Sequence, residues 1–285
     1  MTYPALDVSG ADADMVLATV DDFAPTAVEE LPDGGISIFF TSSAKRDAAL
    51  TAVTTAFPTA TSHARDVDDE DWAKRSQQAL TAVHVGRITV TPPWCDEAQH
   101  SHRAGSSTSA GDPITIVITP SMGFGTGHHV TTRLCLQALQ TLNLAGATVL
   151  DVGTGSGVLA IAAALLGARS ARGIDFDDDA ITSARENLDL NPGASNVTFQ
   201  TIDVRDAPVE PADVVLANLT GGSIVQSAAM LRAAVAPGGS LILSGVQTHE
   251  EDEVLAAFAP ATPAWVHKDL GWVGIMFNDW VAAPV

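Results

Sequence analysis

The chain of 285 residues has little cysteine, few basic residues and no apolar run long enough to cross a bilayer. Its two cysteines, Cys95 and Cys135, lie on different segments without paired spacing, which argues against a disulfide framework and against a zinc site. No secretion signal is expected at residues 1–10, because they contain neither a basic start nor an apolar core. With 46% hydrophobic and 17% charged residues, the sequence predicts a soluble globular protein in the cytoplasm that has no membrane partner.

The scarcity of basic residues also bears on binding partners. Only 14 lysines and arginines stand against 34 aspartates and glutamates, which gives a formal net charge of −20. Nucleic-acid binding needs a basic surface to neutralise phosphates, so no direct nucleic-acid binding is expected. A basic protein partner fits this charge better. An excess of acid also serves solubility alone and is compatible with a salt-tolerant host, so the charge leaves both interpretations open.

An apolar stretch interrupted by alternating glycines lies near the middle of the chain, from Val149 to Ala160. Residues 147–152 predict a buried parallel strand, and residues 158–166 predict a helix that ends at Gly167. Glycines between a strand and a helix permit positive φ and let backbone approach a ligand closely, and the first helix amides are unpaired donors. The alternative is that these glycines only mark a turn.

The spacing of the glycines narrows the class of ligand. Gly153 and Gly155 begin a Gly-x-Gly-x-Gly pattern, whereas a dinucleotide fingerprint would place its third glycine at Val158. Asp175 ends the next predicted strand, and an acid at that place in a doubly wound sheet can accept hydrogen bonds from both ribose hydroxyls. Together with Asp151, this pattern resembles the cofactor loop of class I S-adenosylmethionine-dependent methyltransferases.

The order of predicted elements divides the chain into three segments. Residues 1–66 predict βαββαβ, the ferredoxin-like order, which suits either a recognition domain or a purely structural cap. Residues 67–112 predict a linker helix, a strand and a flexible Ser-, Gly- and His-rich loop from Asp96 to Asp112. Residues 113–285 alternate strands and helices, which predicts a doubly wound α/β domain that ends in a hairpin.

A second glycine-rich loop, Gly-Phe-Gly-Thr-Gly-His-His at 123–129, precedes a predicted helix that a Thr-Thr pair at 131–132 is suited to cap. Combined with Val-Leu-Asp-Val-Gly-Thr-Gly-Ser-Gly at 149–157 and Ala-Asn-Leu at 217–219, this loop resembles the PrmA family. Members of that family methylate ribosomal protein eleven of the large subunit. The resemblance covers nearly the whole chain and implies a ferredoxin-like substrate-recognition domain, a helical linker and a Rossmann-like class I methyltransferase domain.

The resemblance also implies the cofactor, S-adenosyl-L-methionine, and the residues that contact it. Four positions match cofactor contacts of the family, and we add one glycine from each glycine loop and an aspartate whose loop could approach the adenine. The predicted cofactor-binding residues are Gly127, Thr132, Gly153, Gly155, Asp175, Asp203 and Asn218. No metal ligand is predicted, because His100 and His102 have no cysteine or carboxylate cluster beside them.

Transfer of methyl groups to lysine or N-terminal amines of a protein is the reaction that the resemblance implies. A lysine amine has a pKa of about 10.4, so the site must desolvate it or accept its proton before it can act as a nucleophile. We predict that Asn218 is the catalytic residue and orients this amine without acting as a base. His128 and His129 are either candidate bases or residues that only pack over the cofactor.

Two features differ from the family pattern. The segment from Asp96 to Asp112 is longer than the corresponding link, and Leu-Thr-Gly-Gly-Ser after Asn218 is richer in glycine. The alternatives are therefore a lysine methyltransferase that acts on another protein, such as the enzyme for the electron-transfer flavoprotein β-subunit, a noncatalytic cofactor-binding scaffold and a nicotinamide oxidoreductase.

Overall fold

A computed structural model describes residues 2–11, 13–20, 23, 25–31, 35–68, 81–101, 112–119, 129–204 and 209–281. The chain divides into two compact units, Met1–Ala79 and Leu80–Val285. None of the described helices is both long enough and apolar enough to span a membrane.

In the residues that the structure describes, the first unit has a four-stranded antiparallel sheet and two helices. Its elements are β1 (Thr2–Ser9), α1 (Ala13–Val20), β2 (Ala27–Glu30), β3 (Ile36–Phe39), α2 (Ser43–Ala56) and β4 (Thr61–Asp68). The strands lie in the order β2-β3-β1-β4. Alternate residues of β1 and β3, such as Leu6 and Ile38, pack against Val16 of α1 and Val53 of α2. The element order βαββαβ is the one that the sequence predicts.

Part of the predicted linker belongs instead to the second unit. β5 (Val83–Val85) and β6 (Ile88–Thr91) form an antiparallel pair, and β6 pairs in parallel with β7 (Ile114–Val117). Residues 71–80 of the predicted linker helix lie outside the described residues. Where a loop was predicted from Asp96, the structure has a short helix, α3 (Asp96–Ser101), because two acids in its first turn favour the positive end of the helix dipole.

A seven-stranded sheet forms the centre of the second unit, in the order β10-β9-β8-β11-β12-β14-β13. Its strands are β8 (Thr148–Val152), β9 (Ser170–Asp175), β10 (Val197–Thr201), β11 (Ala212–Asn218), β12 (Val235–Gln247), β13 (Trp265–Asp269) and β14 (Trp272–Phe277). Strands β8 to β12 pair in parallel, and β14 is antiparallel to both of its neighbours. This is the doubly wound sheet with a terminal hairpin that the sequence predicts for residues 113–285.

Helices cover both faces of this sheet, so each central strand is buried on two sides. The helices are α4 (Val130–Leu139), α5 (Val158–Leu165), α6 (Asp178–Asp189), α7 (Gly221–Gln226), α8 (Ala228–Ala234) and α9 (Glu251–Ala257). On β8, Val149 enters the core on one face and Leu150 enters the core on the other. Strand β8 lies where the strand order reverses, which is where open α/β sheets form a crevice for ligands.

Candidate active site

The glycine loop between β8 and α5 has the backbone that its spacing predicts. Gly153, Gly155 and Gly157 have φ angles of 70°, 51° and 81°, all in the left-handed region. The amides of Gly153 and Thr154 donate to the Ile174 carbonyl of β9, at 2.9 and 3.0 Å. The loop is therefore fastened to the neighbouring strand.

Gly153 also allows this loop to pack against the chain that follows β11. A Cβ atom at Gly153 would overlap Cδ2 of Leu219, the residue directly after Asn218. The absence of a side chain at Gly153 thus brings two of the predicted site positions together at the crevice.

Asp151 lies beneath the glycine loop as a buried carboxyl group. Its Oδ2 accepts a hydrogen bond from the Thr154 hydroxyl at 2.6 Å, but Oδ1 has no hydrogen-bond partner within the described part of the chain. Burial is the largest effect and raises the pKa of Asp151 to about 7; the hydrogen bond from Thr154 and the nearby Ala160 amide lower this pKa, and the charge of Asp175 raises it. Burial also raises the pKa of the Cys135 thiol, which is fully buried in the core.

Asp175 connects the end of β9 to the glycine loop. Its Oδ2 accepts a hydrogen bond from the Gly155 amide at 3.0 Å, and its Oδ1 accepts one from the Asp177 amide at 3.2 Å. A carboxylate has about four acceptor positions, so each oxygen can still accept a hydrogen bond from a ligand hydroxyl. Asp177 itself caps α6 by accepting the Asp179 amide at 2.9 Å.

Phe176 is a further candidate site residue, which the sequence pattern did not predict. It follows Asp175 directly, and it is 71% exposed, although burial of a large aromatic side chain normally stabilises a fold. The Ile202 amide donates to the Asp175 carbonyl at 2.8 Å, so Asp203 comes next to the same edge of the sheet. Asp175, Phe176 and Asp203 therefore lie together at the ends of β9 and β10, and an aromatic residue directly after the acid is the signal that could have identified Phe176.

Asn218 ends β11 beside helix α4. Its Nδ2 atom lies 3.4 Å from the Thr132 hydroxyl oxygen and donates to it, which turns Oδ1 away from Thr132. Thr132 is 1% exposed, so the threonine holds the amide from within the core. The structure thus brings together two of the residues that the sequence predicts.

His129 caps helix α4, a role that the sequence analysis gave to the Thr-Thr pair. The Thr-Thr pair was expected to cap α4, but His129 is the N-cap: its Nδ1 accepts the Thr131 amide at 3.4 Å and lies 2.8 Å from the Thr131 hydroxyl oxygen. Its ring meets Trp272 edge to face, with centroids 5.0 Å apart. Because Nδ1 already accepts, the geometry favours capping and packing over proton acceptance. Gly127 and His128 lie outside the described residues.

The residues at this crevice fit an adenosyl group that is attached to a positively charged sulfonium. Asp175 offers acceptors for vicinal hydroxyls, Phe176 offers a flat apolar surface for a base, and the glycines allow backbone to approach. The unpaired oxygen of Asp151 adds a buried polar atom under the same loop. No cluster of three or more potential metal ligands occurs among the residues that the structure describes.

Comparison with known proteins gives the family. The sequence model described as "Ribosomal protein L11 methyltransferase (PrmA)" matches residues 5–279. This chain belongs to the PrmA family. The family membership confirms the resemblance that the two glycine loops and Ala-Asn-Leu indicated.

Curated relatives of this PrmA-family chain carry the same description. The ribosomal protein L11 methyltransferase of Cupriavidus pinatubonensis is 39% identical over 211 residues, which cover 73% of this chain and 66% of the relative. That of Ectopseudomonas mendocina is 39% identical over 217 residues, which cover 75% of this chain and 70% of the relative. The chain thus spans slightly less than two thirds of the length of the first of these relatives.

A solved structure supports the fold. A ribosomal protein L11 methylase from Lactobacillus delbrueckii subsp. bulgaricus has a TM-score of 0.61 and 26% sequence identity, covering 70% of this chain and 99% of that chain. The predicted fold class, an α/β class I methyltransferase, is confirmed.

Proposed function

We propose that this chain transfers methyl groups from S-adenosylmethionine to lysine or N-terminal amines of ribosomal protein L11. The observation that carries the proposal is the joining of three predicted site elements at one crevice: Gly155 bonds to Asp175, and Gly153 packs against the residue after Asn218. The names of the curated relatives supply the acceptor. The net charge of −20 suits a basic protein partner and disfavours direct nucleic-acid binding, and we propose that the chain acts in the cytoplasm.

The residues of the crevice divide the binding of the methyl donor between them. Asp175 accepts hydrogen bonds from the ribose hydroxyls, as an acid at the end of this strand does in doubly wound nucleotide-binding sheets. Phe176 packs against the adenine, and Asp203 accepts from its amino group. Gly153 and Gly155 let the backbone approach the donor, and we assign the same role to Gly127.

Asn218 has the orientation that the acceptor amine requires. When bound, S-adenosylmethionine would supply a methyl group on a sulfonium sulfur, and attack on that methyl carbon by a neutral amine would break the carbon–sulfur bond in line and release S-adenosylhomocysteine. Because Nδ2 of Asn218 donates to Thr132, its Oδ1 can accept a hydrogen bond from an N–H of the amine and so direct the nitrogen lone pair. Alignment of two reactants in this way can supply roughly 7–11 kcal/mol of the barrier, so no side-chain base is required to explain a large acceleration.

Replacement of the orienting amide tests this assignment. We expect Asn218→Ala to fold normally and to lower the turnover of purified ribosomal protein L11 by roughly a hundredfold, because an oriented hydrogen bond in an active site is worth about that much. Mass spectrometry of L11 after incubation with enzyme and donor measures the methyl groups transferred. Asn143→Ala, which removes an exposed asparagine in a distant turn, is the matched control. Full turnover by Asn218→Ala would remove Asn218 from the mechanism.

Calorimetry separates the proposed function from the alternatives. Binding of S-adenosylmethionine and S-adenosylhomocysteine, together with methylation of L11, supports the proposal. Binding of both without methylation of any protein identifies a noncatalytic scaffold, and methylation of a different protein by the same preparation identifies another lysine substrate. Binding of NAD in their place identifies an oxidoreductase.

A further inference from the structure

The turn of the β13–β14 hairpin carries a residue that the fold does not explain. Leu270 and Gly271 connect the two strands, with φ angles of 44° and 82°. A two-residue hairpin turn with both φ angles positive strongly prefers Asn-Gly, because a bulky side chain is strained there. Leu270 is also 77% exposed, so burial does not offset the strain. A strained, exposed leucine indicates a role outside folding stability.

Two separate routes of contacts place this turn beside Asn218. Along the sheet, Asn218 pairs with Ser244 of β12, and three residues further β12 pairs with Trp272 at the start of β14. Through helix α4, Asn218 bonds to Thr132, and the helix cap His129 contacts the Trp272 ring. Leu270 precedes Trp272 by two residues, so the exposed leucine lies at the edge of the crevice that contains Asn218.

The sheet order shows which side of Asn218 the hairpin occupies. The glycine loop, Asp175 and Asp203 lie at the ends of β8, β9 and β10, on one side of β11. Strands β12 and β14 lie on the other side. A donor held by the first set lies on one side of Asn218, and β12 and β14 border the opposite side, which is where we place the acceptor amine.

The hairpin turn is joined to a chain segment that carries exposed carboxylates. The Thr248 amide donates to the Gly271 carbonyl at 2.9 Å, which ties the turn to the chain that leads into α9. Lys268 of β13 is paired with Glu251 of α9, while Asp252 and Glu253 are exposed and form no ion pair with any described residue. We call Leu270, Asp252 and Glu253 the hairpin rim.

We propose that the hairpin rim binds the segment of the protein substrate that carries the target amine. Leu270 packs against an apolar side chain of that segment, and Asp252 and Glu253 attract its basic residues. The occupant is a basic protein segment because an amine substrate arrives protonated at neutral pH and because this rim has acid in excess over base. This inference rests on the proposed function and assigns substrate recognition to residues of the second unit.

Leu270→Asn tests the apolar contact without harming the turn. Asparagine accepts positive φ, so we expect an unchanged or higher melting temperature. We expect the Kd of ribosomal protein L11, titrated into enzyme saturated with S-adenosylhomocysteine, to rise roughly tenfold, the effect of losing one buried leucine side chain. The KM for L11 should rise by the same factor, while kcat and the Kd of S-adenosylhomocysteine stay constant.

The matched control replaces an exposed apolar residue that lies outside the hairpin rim. Val281 is 84% exposed and follows the far end of β14, and Val281→Asn should leave the Kd of L11 unchanged. If Leu270→Asn lowers the melting temperature, Leu270→Gly, which also accepts positive φ, replaces it. Wild-type affinity for L11 in either stable Leu270 variant would overturn the inference. If the wild type binds L11 but does not methylate it, only the proposed reaction is overturned. The Kd values of L11 for the wild type and the Leu270 variants still test the hairpin rim.

A double variant tests the charged part of the rim. Asp252→Asn combined with Glu253→Gln should weaken L11 binding at low ionic strength, and the difference from the wild type should shrink at high salt, since salt screens exposed charges. A difference that is absent at low salt, or that is equal at both salt concentrations, would overturn the electrostatic role of the two carboxylates.

Discussion

Asp151 shows how a residue of the glycine motif acquires properties that its sequence position does not reveal. The sequence places an acid at the end of a buried strand, but only the packed structure encloses it under the loop and leaves one oxygen without a partner. Desolvation then holds the pKa near 7, far above that of a solvated aspartate. In the folded protein the carboxyl group therefore retains its proton at pH values where the unfolded chain has lost it.

The raised pKa of Asp151 makes stability depend on pH in a defined direction. Its stabilising contribution is complete below about pH 4, the unfolded pKa, and is lost as the pH rises towards the folded value of about 7. Asp151→Asn removes this dependence, so its free energy of unfolding relative to wild type should rise by a few kcal/mol from about pH 4 to about pH 8. Urea titrations at both pH values measure the change, with Asp189→Asn on the exposed face of α6 as control. An Asp151→Asn difference that is independent of pH would contradict this account.

Site residues were predictable to the extent that local sequence determines them. Asp175 and Gly155 follow directly from the ends of predicted strands, and the structure joins them by a hydrogen bond. The capping of α4 by His129 was not predictable, because the competition between His129 and the threonines depends on three-dimensional geometry. Phe176 was missed because its exposure cannot be read from its apolar type.

At the scale of elements, two asparagines on and after α6 join β7 to the glycine loop. Asn191 exchanges two hydrogen bonds with Val117 of β7, at 2.9 and 2.7 Å, as a neighbouring strand would. Asn187 accepts the Thr119 amide at 2.8 Å and donates to the Ser156 carbonyl of the glycine loop at 2.9 Å. These contacts link chain segments far apart in sequence, so sequence pattern could not predict them.

Asn187 should therefore support both the fold and the shape of the glycine loop. We expect Asn187→Ala to lower the free energy of unfolding by roughly 2–4 kcal/mol, because it removes the buried hydrogen bonds of the Asn187 side chain to the Thr119 amide and the Ser156 carbonyl. Asn187→Asp keeps the acceptor for Thr119, but it replaces the donor to Ser156 with a buried carboxyl oxygen. Both variants should weaken binding of S-adenosylhomocysteine in calorimetry, and unchanged binding in both would show that the loop keeps its shape without this bond.

At the scale of the whole molecule, the element order was predictable and the pairing of short segments was not. Alternation and helical periodicity are local, so they predict βαββαβ in the first unit and the doubly wound order in the second. The three-stranded sheet of β5, β6 and β7 was assigned in part to a linker, because its strands are only three or four residues long. Pairing of β6 with β7 across the intervening residues decides which unit they belong to.

The second unit as a whole has the architecture of a class I methyltransferase. We expect Asp175 and the glycine loop to bind the methyl donor. Titration calorimetry of S-adenosylmethionine against the wild type and Asp175→Asn tests this most directly, with Asp189→Asn as control. We predict one donor bound by the wild type, a Kd roughly 10- to 100-fold higher in Asp175→Asn because hydrogen bonds to a charged group are lost, and no binding of NAD. Equal affinity in Asp175→Asn, or binding of NAD in place of the methyl donor, would contradict the account.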